Sequence, residues 1–219
     1  MGLTAIILAA GQGKRMRSDL PKVLQSLAGR PLLAHVIDCA AALAADDVCV
    51  VYGHGGELVR DEFPDDALRW VLQAEQLGTG HAVQQAMPDT PDGNRVLILF
   101  GDVPLLTPAT CHRLIDETPA DEVAVLTVDM DDPTGYGRII REDGSVARIV
   151  EQKDADAAEQ AVCEINTGVL VCPANRLRKW LVNLGNDNAQ GEYYLTDVIG
   201  MAVNDGVTVH GVKAATWTE

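Results

Sequence analysis

The 219-residue sequence predicts an α/β fold, in which a mostly parallel sheet is flanked by helices and carries a small antiparallel insertion. Apolar, strand-like runs alternate with segments of helical periodicity, which is typical of βαβ units. Aromatic residues make up only 4% of the chain, so the core must rest on aliphatic side chains, which suit stacked parallel strands better than a sandwich. The alternation is broken once, by the turn signal Glu142-Asp143-Gly144, which predicts a hairpin.

Strands are indicated by short apolar runs that end in polar or glycine-rich segments. The predicted strands are Leu3–Leu8, Val48–Tyr52, Leu68–Leu72, Val96–Phe100, Val123–Val128, Ile165–Cys172 and Val207–Val212, with Gly137–Ile140 and Ser145–Val150 in the hairpin. Helices are indicated by capping residues and by proline at a first helical position. The predicted helices begin near Pro31, Thr79, Thr107-Pro108, Pro173 and Thr196-Asp197. Since no internal repeat or linker interrupts this order, we expect one domain over residues 1–219.

The chain is acidic, with 32 Asp and Glu residues against 17 Lys and Arg residues and a net charge of −15. This balance disfavours nonspecific binding to nucleic acid and to anionic membranes, so neither is expected as a partner. The first 35 residues differ, because they contain five basic residues and one acid, a local balance of +4. A basic segment in an acidic protein predicts a local site for an anion.

The five cysteines are odd in number and have no CxxC spacing, which predicts free thiols in a reducing cytoplasm. The apolar start of the chain has no basic segment before it and is expected to be a strand rather than a signal peptide. No apolar run approaches the roughly 18 residues that a membrane-spanning helix needs. The five histidines show neither HxH nor HExxH spacing, so a zinc site is not expected.

The glycine-rich segment LAAGQGKRM at residues 8–16, with Lys22 just beyond it, is the first candidate site. Small residues let backbone N–H groups approach a phosphate closely, and Arg15 and Lys22 add positive charge. The dinucleotide fingerprint would need glycine in place of Met16, and the Walker A spacing is absent. The segment therefore fits a phosphate ligand without either common motif. The alternative is a tight turn with solvated basic residues.

Asp102 lies in the segment GDVP, directly after the predicted strand that ends at Phe100. A carboxylate at that position can bind a Mg²⁺ ion that is also held by substrate phosphates, and such sites often use only one or two carboxylates. The alternative is an aspartate that caps a turn before a proline. A phosphate-binding loop at the same edge of the sheet favours the metal site.

Residues 73–82, QAEQLGTGHA, form a polar segment after another predicted strand. The paired donor and acceptor of the Gln73 amide can recognise the edge of a base. The backbone of Gly78 and Thr79 can lie close to the same base. The alternative is a polar loop in which Thr79 caps a helix.

Four further segments carry what a neutral sugar requires, namely directional hydrogen-bonding groups and flat contacts. They are GYGR at 135–138, EQKD at 151–154, NTG at 166–168 and EYYLTD at 192–197. Each segment taken alone is more often a turn or a cap. No GxSxG motif is present, and no cysteine is marked as a nucleophile.

Taken together and in this order, the motifs LAAGQGKRM with PK, AEQLGTGHA, GDVPL, TGYGRI, VEQKDA, NTG and GEYYLTD closely resemble one known family. It is the bacterial N-acetylglucosamine-1-phosphate uridylyltransferase family, and the resemblance covers essentially the whole chain. The first loop is shared by many sugar-nucleotide transferases and specifies only the superfamily. The motifs GTGHA, GYGRI, VEQKDA and GEYYLTD narrow the resemblance to this member.

The resemblance implies a Rossmann-like nucleotidyltransferase that joins UTP and N-acetylglucosamine 1-phosphate to give UDP-N-acetylglucosamine and pyrophosphate, with Mg²⁺ as cofactor. It implies that Arg15 and Lys22 are catalytic and hold the triphosphate, and that Asp102 is a Mg²⁺ ligand. The implied nucleotide-binding residues are Leu8, Ala9, Ala10, Gly11, Gln73, Gly78, Thr79, Phe100 and Gly101. The implied sugar-binding residues are Gly137, Glu151, Asn166, Tyr194 and Thr196.

The sequence departs from the family pattern at three places. Lys14 replaces the Thr that the family usually has, and Phe100 replaces a common Tyr. The sequence also stops at Glu219. The family has a second Mg²⁺ ligand, an Asn, shortly after this point, and then a left-handed β-helix with acetyltransferase activity and trimer contacts. We therefore expect a truncated chain without acetyl transfer that is a cytoplasmic monomer.

Two alternatives stay open on the residues alone. One is a related nucleotidyltransferase that uses another base or another sugar phosphate. The other is a sugar-nucleotide-binding module without turnover. A small-molecule dehydrogenase is disfavoured by Met16 and by the basic loop.

Overall fold

The structure is a computed structural model that describes residues 2–11, 18, 20–53, 56–64, 67–216 and 218. The strands are β1 (Leu3–Ala9), β2 (Ser26–Leu27), β3 (Arg30–Pro31), β4 (Asp47–Gly53), β5 (Leu68–Gln73), β6 (Arg95–Phe100), β7 (Val123–Asp129), β8 (Arg138–Glu142), β9 (Ser145–Val150), β10 (Glu164–Pro173) and β11 (Val209–Lys213). The helices are α1 (Leu32–Ala42), α2 (Glu57–Glu62), α3 (Thr79–Ala86), α4 (Pro108–Asp116), α5 (Ala157–Gln160), α6 (Ala174–Val182) and α7 (Asp197–Asn204). Lys14, Arg15 and Met16 lie outside the described residues.

The main sheet has the strand order β11-β7-β10-β6-β1-β4-β5, and the β8–β9 hairpin is attached to β10. β1 lies between β6 and β4 and runs parallel to both, with Ile6 opposite Ile98 and Cys49. Residues 5–7 of β1 are fully buried. A strand that is buried on both faces needs a continuous apolar run, which explains the strong sequence signal for β1.

Two apolar clusters cover opposite faces of the sheet. One joins sheet residues such as Ile6 and Ile98 to helices α3, α6 and α7. The other joins the intervening sheet residues, such as Ile7 and Leu97, to helices α1, α2 and α4. A single apolar strand contributes side chains to both clusters, because successive side chains along a strand point to opposite faces of the sheet. This architecture confirms the predicted α/β class, with parallel strands in the majority.

β10 is the exception within the main sheet, since it runs antiparallel to both of its neighbours, β6 and β7. The sequence indicates an antiparallel arrangement only for the hairpin. Glu164, at the start of β10, lies opposite Asp129, at the end of β7. After the hairpin, the chain therefore re-enters the sheet beside the end of β7 and runs back along it. A strand parallel to β7 would first need a crossover connection to the other end of β7. β10 therefore re-enters the sheet in the reverse direction.

The helix starts differ from the predictions at two threonines. Thr107 caps α4 as predicted. α3 begins at Thr79 itself, whose Oγ1 accepts the N–H of Leu195 at 3.1 Å, so its predicted capping role is wrong. Thr196 precedes α7 but makes no capping bond, because its hydroxyl donates to Glu151. Both threonines join distant segments instead of closing their own helices.

Other differences are small. α6 covers residues 174–182 where 173–184 is predicted, and β11 covers 209–213 where 207–212 is predicted. The short elements α2, α5 and β2–β3 carry no signal that was recognised in the sequence. Within the described part of the chain, no helix has the length and apolar character required to cross a bilayer.

Candidate functional site

The segments that carry the candidate residues meet at one edge of the sheet. β1, β4, β5 and β6 are parallel, so their carboxyl ends align, as the pairs Leu8–Phe100 and Gly53–Gln73 show. In open α/β sheets, ligands bind beyond these ends at the point where the strand order reverses. That point is β1 here, because β4 lies on one side of it and β6 on the other.

Lys22 and Asp102 form an ion pair at this edge, although they are 80 positions apart in the chain. Lys22 begins a short 3-10 turn and is anchored by the buried side chains of Val23 and Leu24. Both partners stay accessible, with 42% of the Lys22 side chain and 26% of the Asp102 side chain exposed. The structure thus brings together the predicted triphosphate-binding cation and the predicted metal-binding carboxylate.

Gly101 allows the chain to reach Asp102 at this position. Its N–H donates to the Leu8 carbonyl at 2.9 Å, which extends the pairing of β6 with β1. A Cβ atom at position 101 would lie 3.1 to 3.3 Å from side-chain atoms of Leu33, Val23 and Ala9. Packing therefore favours glycine at this position.

The end of β1 presents backbone to the edge of the sheet. Residues 8–10 are buried, whereas Gly11 is exposed. The Ala10 carbonyl accepts a hydrogen bond from the Gln76 side chain. A Cβ atom on Gly53 would lie 2.6 Å from both the Ala10 oxygen and Gln76 Nε2, so glycine leaves room for this contact. A ligand at this edge would meet the backbone of residues 10 and 11.

Gln73 is buried at the end of β5, with 3% of its surface exposed. Its Nε2 donates to the Gly78 carbonyl at 3.0 Å and lies 3.1 Å from His81 Nδ1. The amide therefore orders the turn that leads into α3. The contact of Gln73 with a base stays a prediction.

Residues 77–80 pair with residues 193–195. Two backbone hydrogen bonds of 2.8 Å join the segments, in addition to the bond that Thr79 accepts. Gly78 has a φ of +111°, and a Cβ atom there would lie 2.6 Å from the Tyr193 carbonyl oxygen. Two segments that the sequence analysis assigns to different ligands therefore form one structural unit.

A cavity of about 240 Å³ opens next to this unit. It brings together six of the residues predicted to bind nucleotide or sugar, which come from separate segments of the chain. They are Thr79, Phe100, Gly137, Glu151, Asn166 and Thr196. Apolar side chains of Ile149, Leu170 and Leu195 complete much of the wall. The cavity thus combines a few polar groups with an apolar surface, as small-molecule sites commonly do.

Glu151 follows β9 and is half-buried, and it accepts a hydrogen bond from the Thr196 hydroxyl at 3.0 Å. Burial raises the pKa of Glu151, and the nearby carboxylates of Asp197, Asp154 and Glu192 raise it further, whereas the Thr196 bond lowers it. A carboxylate oriented in this way offers acceptors to the hydroxyl groups of a neutral ligand.

Asn166 lies where the pairing of β10 with β7 shifts register, between Asn166 and Leu170. Its Oδ1 accepts the N–H of Gly168 at 3.0 Å, and its own N–H donates to the Gly137 carbonyl at 2.9 Å. Gly168 has a φ of +89°, and a Cβ atom there would lie 2.5 Å from the Phe100 ring. The bulge therefore places glycine backbone against Phe100 and opens the sheet beside the cavity.

Tyr194 does not line the cavity. Its side chain is buried, and its hydroxyl donates to Asp154 Oδ2 at 3.2 Å. Burial raises the pKa of Tyr194 to about 12, so the hydroxyl is a neutral donor at physiological pH. It orients Asp154, whose charge acts on Glu151, and its direct contact with a sugar stays a prediction.

Three residues that shape the site lie in the candidate segments but are not among the individually predicted site residues. Gln76 contacts the Ala10 carbonyl, Tyr136 lines the cavity, and Arg138 is buried in contact with the Tyr136 carbonyl. Gln76 and Tyr136 fall inside candidate segments, but nothing in their spacing distinguishes them from ordinary loop residues. Arg138 carries a weak signal in the sequence, because it is a charged residue directly before the apolar pair Ile139-Ile140, where burial would require specific partners.

Asp102 fits a Mg²⁺ ligand on the chemistry of the residues around it. Among the described residues, no three or more metal-ligating side chains form a cluster. Mg²⁺ commonly takes one or two carboxylates and completes its coordination with substrate phosphates and water. A single accessible carboxylate beside the Lys22 ammonium matches that mode of binding.

Three solved structures share this fold. A nucleotidyl transferase from Methanothermobacter thermautotroptrophicus has a TM-score of 0.69 at 21% identity, and the match covers 98% of this chain and 88% of that one. A putative glucose-1-phosphate thymidylyltransferase from Bacillus anthracis has a TM-score of 0.75 at 17% identity, covering 99% and 88%. UDP-glucose pyrophosphorylase has a TM-score of 0.75 at 14% identity, covering 97% and 91%. The fold is therefore that of the Rossmann-like nucleotidyltransferases.

The family model of the MobA-like NTP transferase domain matches residues 5–188, and the chain belongs to this family of nucleotidyltransferases. It is 60% identical over 212 residues to the bifunctional protein GlmU of Azoarcus sp. (strain BH72), covering 96% of this chain and 47% of that protein. It is 58% identical over 217 residues to the bifunctional protein GlmU of Cupriavidus taiwanensis, covering 98% and 48%. The chain thus spans about half the length of the curated relatives it matches.

We expect Gly78→Ala to destabilise the protein more than Gly206→Ala. Both glycines have positive φ, so each alanine carries backbone strain of about 1–3 kcal/mol, and Gly78, with a ψ of 175°, lies in a region that is essentially restricted to glycine. Only at Gly78 would the new methyl group meet backbone atoms of Tyr193, which adds about 1–3 kcal/mol for overpacking. Urea unfolding of the two variants measures the difference, and equal free energies of unfolding would show that the approach of the two segments is not tight.

We expect Glu151→Gln to stabilise the protein increasingly as the pH rises above the ordinary glutamate range. Because the pKa of Glu151 is raised in the folded state, the wild-type protein loses stability as the pH rises from 4.5 toward that raised value. Glutamine removes this loss and keeps an acceptor for Thr196. The Tm advantage of the variant should be larger at pH 7 than at pH 4.

Glu142→Gln, which neutralises an exposed glutamate in β8, is the control for removing one charge. A Tm difference between Glu151→Gln and the wild type that does not change with pH would contradict the expectation.

Proposed function

We propose that this chain transfers the uridylyl group of UTP to N-acetylglucosamine 1-phosphate, giving UDP-N-acetylglucosamine and pyrophosphate. The proposal is carried by one juxtaposition, in which the Lys22–Asp102 pair and a neutral polar cavity with Glu151, Asn166 and Thr196 occupy the same edge of the sheet. The pair suits a triphosphate with its metal, and the cavity suits a sugar. The quoted motifs and the 56–60% identity to proteins named bifunctional protein GlmU support this choice of substrates.

In the proposed reaction, a phosphate oxygen of the sugar phosphate attacks the α-phosphorus of UTP in line. A new P–O bond forms while the bond from the α-phosphorus to the bridging oxygen breaks, and pyrophosphate leaves with that electron pair. Such transfers depend mainly on positioning and charge stabilisation and need no protein nucleophile. Lys22, together with Arg15, would bind the triphosphate and offset the negative charge that develops on the leaving group.

Asp102 would hold a Mg²⁺ ion, which when bound neutralises part of the phosphate charge. The Lys22 ammonium keeps the Asp102 carboxylate at the edge of the sheet, next to the backbone of Gly101. Two polyanionic substrates must meet here in a protein whose net charge is −15, so local cations are needed to bring them together.

The nucleotide would lie along the end of β1 and the turn before α3. Its proposed contacts are Leu8, Ala9, Ala10, Gly11, Gln73, Gly78, Thr79, Phe100 and Gly101. The sugar would occupy the cavity, where Glu151 and Asn166 form directional hydrogen bonds and Thr196 orients Glu151. Gly137 would contact the sugar through its backbone. Tyr194 would act indirectly, by orienting Asp154.

We further propose that residues 1–219 form one nucleotidyltransferase domain that acts in the cytoplasm. The product of the proposed reaction is an activated amino sugar of the kind that peptidoglycan and lipopolysaccharide synthesis consume.

Pyrophosphate release tests the proposal. UTP, CTP, ATP and GTP are each combined with N-acetylglucosamine 1-phosphate or glucose 1-phosphate, with and without Mg²⁺. Release that requires UTP, N-acetylglucosamine 1-phosphate and Mg²⁺ is the expected result. Release with another pair would keep the reaction and change the substrates. Binding of UDP-N-acetylglucosamine in calorimetry without any release would identify a binding module instead.

We expect Lys22→Ala and Asp102→Asn each to lower kcat by about 10²–10³-fold, since removing one charge stabiliser in a transfer site commonly costs that much. Lys179→Ala, which removes an exposed lysine on α6, is the matched control and should leave kcat within about twofold. Steady-state rates at saturating UTP and sugar phosphate check the expectation. A Lys22→Ala variant with the wild-type rate would rule out the role assigned to Lys22.

A further inference from the structure

Arg138 is one of the most deeply buried charged residues of the chain, with 1% of its surface exposed. It begins β8, where it lies opposite Val150 of β9 and Ile165 of β10. Arg138 lies in the GYGR candidate segment, but neither the implied site residues nor the proposed reaction gives it a role of its own. Its position next to Gly137 places it directly behind the wall of the cavity.

The partners of Arg138 are all neutral. Its Nη1 donates to the Tyr136 carbonyl, and its Nη2 donates to Gln152 Oε1 at 2.7 Å and to the Gln160 carbonyl at 3.4 Å. No carboxylate oxygen of the described residues lies within ion-pair distance of its guanidinium, and its Nε has no hydrogen-bond partner among them.

Two other arginines of the same hairpin form ion pairs. Arg141 pairs with Glu164 and Arg148 pairs with Glu159, both at 2.7 Å. The exposed Asp132 carboxylate interacts with Arg138 only at longer range. A buried guanidinium without a direct ion pair costs desolvation energy that a methionine of similar length would avoid. The N–H groups of Arg138 therefore provide hydrogen bonds that an apolar residue could not make.

The hydrogen bonds of Arg138 hold the loop that forms one wall of the cavity. Gln152 Oε1 accepts from Arg138 and also from the N–H of Gly135 at 3.1 Å, so one oxygen links the guanidinium to the loop. Tyr136 is held directly through its carbonyl. Gly137, the next residue, is held by the N–H of Asn166 at 2.9 Å. Three successive residues of the cavity wall are thus fixed through their backbone.

We propose that Arg138, acting through Gln152, is a positioning residue that fixes the Gly135–Gly137 wall for the sugar phosphate. The assignment rests on the proposed function, in which this cavity binds the sugar. None of the Arg138 hydrogen bonds involves a residue assigned to the nucleotide or the metal, including Thr79 and Phe100, which line the same cavity. Loss of the anchor should therefore weaken sugar-phosphate binding and leave UTP binding unchanged.

The test removes the shared acceptor while Arg138 stays in place. Gln152→Met should raise the KM for N-acetylglucosamine 1-phosphate about tenfold, the equivalent of one lost hydrogen bond of ordinary strength, with the KM for UTP unchanged within about twofold. Gln152→Glu keeps an oxygen acceptor for both donors and should restore the KM for the sugar phosphate to within about threefold of the wild type.

Arg141→Met is the matched control, since it removes an arginine from the same strand and breaks the Glu164 pair without touching the cavity wall. It should leave both KM values within about twofold of the wild type. A Gln152→Met variant that keeps the wild-type KM for the sugar phosphate would overturn the assignment. Equal rises in both KM values, matched by Arg141→Met, would reduce Arg138 to a structural role.

A second readout does not depend on turnover. Hydrogen–deuterium exchange of the 133–137 segment should be faster in Gln152→Met than in the wild type, and Gln152→Glu should restore the protection, because the Gly135 N–H loses its acceptor only in the first variant. Unchanged exchange would refute the anchor even in an inactive chain. Absence of pyrophosphate release from the wild type, with the exchange difference present, would refute the proposed reaction and keep the anchor.

Discussion

β10 runs against both of its neighbours, and its pairing with β7 breaks between Asn166 and Leu170. A continuous parallel strand in this place would pair along its whole length and close the sheet beside β6. The reversed strand instead brings Asn166 and Gly168 to the edge where β1 and β6 end, and the positive φ of Gly168 lets the backbone lie against Phe100. Asn166 and Gly168 in the cavity wall, and the attachment of the β8–β9 hairpin to β10, depend on this one irregular strand.

The site is also held together by contacts between segments that are far apart in the chain. Residues 77–80 pair with residues 193–195, and Thr196 orients Glu151 from the start of α7. The proposed nucleotide and sugar subsites therefore share a direct backbone connection. Glycine at position 78 makes the connection possible, because no side chain fits between the two backbones. Close backbone contact of this kind preorganises a site without adding charge to an acidic protein.

Much of the fold and part of the site could be predicted from local patterns. The run at Leu3–Leu8 identifies β1 because a strand buried on both faces is apolar throughout. The proline after Thr107 identifies the start of α4 because both residues act within one turn. The sequence predicts Lys22 and Asp102 at one edge of the sheet because parallel strands end together, and the two residues form an ion pair there. Each of these predictions depends on physics that operates over a few residues or follows from strand direction.

The order of the elements, the α/β class, the local excess of positive charge near the start of the chain and the types of side chain available to a ligand can all be read from the sequence. The reversal of β10, the hydrogen bond that Thr79 accepts from Leu195 and the contact of Arg138 with Gln152 emerge only in the folded protein. The physical reason is the same in each case. An apolar run looks alike in either direction, and a hydrogen bond between distant segments depends on a partner whose position is set only when the whole sheet has formed.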